Sequence, residues 1–99
     1  MKKINFNVEI KNLKKEPVKS GNEVMTAAKV IANSLSISKP KNPQKDAVRQ
    51  YKLALTIYDK KEATDIEDAD LEVIKEVLNR NELGYTSLVL GQVFEILNK

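Results

Sequence analysis

Histidine and cysteine are both absent from the 99 residues. That removes the commonest general base, the thiolate nucleophile and every nitrogen- or sulfur-ligated metal site. Five serines, Ser20, Ser34, Ser36, Ser38 and Ser87, have no imidazole to activate them. A Ser–Lys pair would have to come from Ser36 or Ser38 with Lys39, and a polar helix end accounts for those three as well. The acidic run Asp65, Glu67, Asp68 and Asp70 is the one cluster with cation-like chemistry, since Ca²⁺ and Mg²⁺ want several oxygens. An EF-hand loop counted from Asp65 needs glycine at its sixth position, where Asp70 stands, so the tight turn is missing. Carboxylates crowding the start of a helix, where its dipole favours them, explain the run better. Gly21, Gly84 and Gly91 are too far apart to form a phosphate loop. The expectation is a protein that is not an enzyme and uses no cofactor or metal.

The basic residues are more suggestive. Lys45, Arg49 and Lys52 fall at i, i+4 and i+7, so they share one helical face that could track phosphates. Only one of them is Arg, and no aromatic residue is interleaved for base stacking. Nucleic-acid binding through this face is therefore the alternative reading. Lys11, Lys14 and Lys15, with Lys19, cluster near a proposed turn. Residues 1–60 carry 13 Lys/Arg against 5 Asp/Glu, and residues 61–99 carry 4 against 9. That balance of +8 and −5 could steer a basic surface of one copy, near Lys11, Lys14 and Lys15, onto an acidic surface near Asp65 and Asp68 of another. Contact with a protein partner, or self-association into a homo-oligomer, is the favoured expectation.

The elements that must position these residues are read from periodicity. Ile4, Phe6, Val8 and Ile10 alternate with Asn5, Asn7 and Glu9, the pattern of a strand with one wet face. A polar break follows, and Pro17-Val18-Lys19 reads as a short return strand, confined to an edge because proline cannot donate to a ladder. Two strands alone are marginal, and their open edges invite a third from a partner.

Four helices follow, near 24–36, 43–59, 67–81 and 86–97. Asn22 or Thr26 caps the first. Asn42-Pro43 starts the second, with an apolar stripe of Ala47, Tyr51, Ala54, Leu55 and Tyr58 and Val48 beside it. Residues 59–64 read as a charged loop. Leu71, Ile74, Val77 and Leu78 are the stripe of the third helix, which stops at Asn81-Glu82-Leu83-Gly84. Apolar residues nearly encircle the last helix, which predicts the most buried element. Gly91 within it implies a close approach by another backbone.

The fold class is α+β: an N-terminal β-hairpin (residues 1–20) packed on a bundle of about four helices (residues 21–99), in one domain. Hydrophobic residues at 41% and charged residues at 31% are ordinary for a globular chain. Met1-Lys2-Lys3 leads into Ile4-Asn5-Phe6-Asn7 instead of an apolar run, so no secretory signal is read. Residues 85–97 are too short to span a bilayer. The expected location is cytoplasmic, with no membrane partner.

The order of segments resembles a known group. Asn12-Leu13-Lys14-Lys15-Glu16-Pro17 is followed by Lys29-Val30-Ile31-Ala32-Asn33-Ser34-Leu35. Tyr51-Lys52-Leu53-Ala54-Leu55, Asp68-Ala69-Asp70-Leu71-Glu72-Val73-Ile74-Lys75 and Tyr85-Thr86-Ser87-Leu88-Val89-Leu90-Gly91-Gln92-Val93 come next. Together they resemble small uncharacterised proteins encoded in tailed phages and prophages, over nearly the whole chain. The resemblance carries no catalytic motif and no site residue. It implies a non-enzymatic role in virion assembly, host takeover or inhibition of defence, in the host cytoplasm.

Overall fold

The computed structural model describes residues 2–40, 42–58 and 62–98. Lys41 and residues 59–61 of the expected charged loop lie outside them. The N-terminal alternation places Ile4, Phe6 and Ile10 in the core, each at most 3% exposed. Val8 departs from the pattern at 37%. Strand geometry covers only β1 (Lys2–Ile4). Residues 5–10 instead run beside the start of the first helix, where Ala28 N donates to Phe6 O and Ala27 N to Val8 O.

The β-hairpin is β2 (Lys19–Ser20) with β3 (Glu23–Val24), turning at Gly21, whose φ is +64°. The segment before it folds back as expected: Lys11 bridges Pro17, and Val18 N donates to Ile10 O at 2.8 Å. Asn12 Oδ1 accepts from Lys14 N and Glu16 N and so closes the turn between them. Ile10 N in turn donates to Met25 O, and Met25 N to Val18 O. The three short segments thus satisfy one another's backbone.

β1 has a partner the sequence pattern did not show. Its partner is β4 (Thr64–Ile66), antiparallel, with Lys2 opposite Ile66, Lys3 opposite Asp65 and Ile4 opposite Thr64. Thr64 belonged to the expected loop and Asp65 to the start of the expected third helix. Ile66 is buried, and that burial holds the segment extended.

Thr26 caps α1 (Ala27–Ile37), its side chain accepting from Lys29 N. Asn42 accepts from Lys45 N through Oδ1 and starts α2 (Pro43–Tyr58). α3 (Asp68–Arg80) ends on Asn81, which is left-handed (φ +45°) and grips Tyr85 N and O with its side-chain amide. α4 (Ser87–Leu97) closes the fold.

The central helix is α1, not α4. α1 packs on α2, α3 and α4, and seven of its eleven residues are buried, against Val89, Val93 and Leu97 in α4. Gly91 is exposed, and a Cβ there would meet nothing within 4 Å, so no backbone approaches it. α1 is rich in small residues that let three helices come close, and that sets its place more than total hydrophobicity does.

Candidate interaction groove

α1 and α2 are joined by a short connection and pack antiparallel, and their packing leaves one face of α2 uncovered. The buried residues of α2 are Gln50, Leu53, Ala54 and Ile57. Ala54 alone belongs to the stripe expected from sequence. Tyr51 (63%), Leu55 (59%) and Val48 (52%) are exposed, and so are Ala47 and Tyr58. At 3.6 residues per turn, residues 47, 51, 55 and 58 form a second apolar stripe beside the buried one. Gln50 decides which stripe goes inward. Its Nε2 donates to Leu35 O at 3.0 Å and to Ser38 O at 3.1 Å, tying α2 to the C-terminal end of α1. Those carbonyls have no partner within α1 and would otherwise be buried and unpaired.

The outward stripe forms one wall of a groove whose other wall is α1. Its central part is about 500 Å³, open to solvent, and lined by Ala32, Asn33, Ser36, Tyr51, Leu55 and Tyr58 with Ala54 at the base. Ser36 and Tyr51 also line a hollow toward Pro40 and Ala47. Asn33 and Tyr58 line another toward Met25 and Tyr85. The three hollows share these residues and so lie side by side along the helix pair. The polar groups in it are largely occupied: Ser36 Oγ donates to Ala32 O at 2.8 Å, and Lys29 Nζ lies 3.3 Å from Glu23 Oε2. Of the serines raised as Ser–Lys candidates, Ser36 thus has its hydroxyl bonded to the helix backbone, and Ser38 is buried.

The lysines and acids singled out in the sequence are dispersed. Lys45 and Lys52 are exposed on α2, flanking Val48 on the side away from α1. Arg49 between them is turned to α3, where Nε and Nη2 both donate to Asp70 Oδ1, at 3.0 and 2.8 Å. Lys11, Lys14 and Lys15 are exposed around the N-terminal turn. The backbone of Lys11 is clasped by Gln92, whose Oε1 accepts its N–H and whose Nε2 donates to its carbonyl. Lys15 takes a left-handed φ of +67°. Asp65 faces Lys3 across the β1–β4 pair, and Asp68 opens α3. Among the described residues no group of three acidic side chains is placed to hold a metal ion.

A second cleft lies between α2 and α3, lined by Asp46, Arg49, Gln50, Val73, Glu76, Val77 and Arg80. Two cations face two carboxylates there, so it presents no net charge to an ion. No helix among the described residues is long and apolar enough to cross a membrane. No family model matches the chain, and neither a curated protein nor a solved structure is significantly similar to it.

Proposed function

We propose that this protein acts by non-catalytic contact with another protein, and that the α1–α2 groove is the contact surface. One observation carries the reading. Among the described residues, nine large hydrophobic side chains stand exposed, and three of them, Tyr51, Leu55 and Tyr58, line this one groove, with Ile37 and Val48 elsewhere on the same two helices. The others, Val8, Leu13, Leu83 and Leu88, sit on separate segments. Scattered exposed hydrophobics are ordinary, whereas a contiguous patch with a hollow in it is the signature of a docking site. Tyrosine suits such a surface, giving large rigid contact area with a polar tip. The resemblance to small phage and prophage proteins fits this reading, with a partner drawn from virion assembly or from the host cell. Nucleic-acid binding is the weaker reading, because Arg49 is committed to Asp70 and leaves two lysines for phosphates.

The test is site-specific photo-crosslinking in the cell of origin. A photoreactive residue at position 51 or 55 should give discrete covalent adducts with protein, and the same residue at 72 or 79 on the outer face of α3 should not. Absence of adducts at the groove, or equal labelling of both faces, sinks the proposal.

A further inference from the structure

We infer that the hollow at the Met25–Tyr85 end of the groove receives the N-terminal turn of a second copy of this chain, in a head-to-tail contact led by Leu13; the inference rests on the docking role proposed for the groove. Leu13 is the most exposed of the large hydrophobic side chains, at 90%. Its turn is held in one shape. Asn12 O accepts from Lys15 N, Asn12 N donates to Glu16 O, and Asn12 Oδ1 takes the amides of Lys14 and Glu16. Gln92 anchors the stem through both backbone groups of Lys11. Leu13 and Lys14 are the central residues of the turn closed by Asn12 and Lys15, so they stand at its apex. Lys15 follows in the left-handed conformation that favours glycine, so the turn carries a cation where its backbone does not ask for one. A leucine presented on a preformed turn gives up little chain freedom when it is buried.

The receiving surface is concave, and its outermost charge is of opposite sign. The hollow is about 590 Å³ with its open mouth, and Met25, Val30, Tyr58 and Tyr85 give it apolar walls. Glu23 and Lys29 also line it, with their charges 3.3 Å apart. The two are not equivalent. Lys29 Nζ also donates to Val24 O at 3.1 Å, and its side chain is 31% exposed. The Glu23 side chain is 71% exposed, so its carboxylate is the charge an incoming surface meets first. Lys19, opposite Val24 in the hairpin, does not line the hollow. Around Leu13 the exposed charges are Lys11, Lys14 and Lys15 against Glu16. Lysines beside an apolar knob thus match a carboxylate beside an apolar hollow. Both halves belong to this chain, which selects a second copy over a foreign partner. Knob and hollow are different patches, so the contact is heterologous. Each added copy offers a fresh knob and a fresh hollow, which builds a filament or, where the rotation closes, a ring.

The test is sedimentation velocity on the full chain, at micromolar and at millimolar concentration. The parent should sediment as more than one chain and grow with concentration, and Leu13→Ser should remain a monomer. Asn33→Arg, at an exposed position that lines the hollow, should also remain a monomer. An equal mixture of these two variants should form a one-to-one pair that grows no further, since one keeps the hollow and the other the knob. Glu23→Lys should weaken association about tenfold, and adding Lys14→Glu with Lys15→Glu should restore the parent affinity. A parent that is a single chain at every concentration overturns the inference, and so does an oligomer that Leu13→Ser leaves intact. A mixture that yields no pair, or a charge reversal without rescue, overturns it too. Groove crosslinks to other proteins in the cell, from a chain that stays monomeric, leave the docking role standing and remove only the self-contact.

Discussion

Gln50 and Gly91 show how single residues mislead a periodicity. The apolar stripe expected for α2 leaves Gln50 out. It is instead buried at 6% exposure and occupies the space a leucine would. Replacing it with Leu keeps the volume but leaves the Leu35 and Ser38 carbonyls without their donor. The expected loss is about 1–3 kcal/mol in urea unfolding, with wild-type stability or better excluded. Gly91 errs the other way. A glycine inside an apolar helix suggests a crowded contact, yet the site is open. Gly91→Ala should therefore raise stability by roughly 0.5–1 kcal/mol, the ordinary helix-propensity gain, read as a higher urea midpoint at constant slope. A loss would mean that another surface does pack there.

Among the elements, α2 is the informative one. Its apolar residues lie on two adjacent stripes, and both have helical spacing. Spacing reports which residues share a face and not which face finds a neighbour. The signal available in the sequence was Ile57 with Leu53, branched aliphatics on the stripe that lacks tyrosine. Truncation separates the two stripes. Leu53→Ala or Ile57→Ala should cost about 2–5 kcal/mol, and Leu55→Ser or Tyr51→Ser should stay within roughly 0.5 kcal/mol of the parent. Large losses at both sets would place both stripes in the core and remove the groove. The helix starts were easier to read, because their signals are local. Thr26 accepts the Lys29 amide, and Asn42 precedes a proline that needs no donor.

For the whole molecule, the decisive contact joins the two ends of the sequence to its middle. β1 pairs with β4 across some sixty residues, and Lys2 Nζ donates to Leu97 O at 2.6 Å. Ile4 and Ile66 enter the core from this pair, on neighbouring strands. Ile4→Ala and Ile66→Ala should each destabilise by about 2–5 kcal/mol. Their combination should depart from additivity by roughly 0.5–3 kcal/mol, as residues sharing one packing site do. Strict additivity would mean that the strands do not form one unit.

The sequence by itself determined the α+β class, the order of four helices and their ends. Each end falls within three residues of the expected one. Caps, proline, glycine and 3.6-residue spacing act over a few residues, so they are legible there. Tertiary structure alone decided that α1 is central, that β1 pairs with a segment resembling a loop, that Arg49 turns to Asp70, and that Tyr51, Leu55 and Tyr58 line a groove facing solvent. Each depends on which of several apolar surfaces wins the same limited interior. That competition is set by shape and by partners far along the chain, and no local pattern records it.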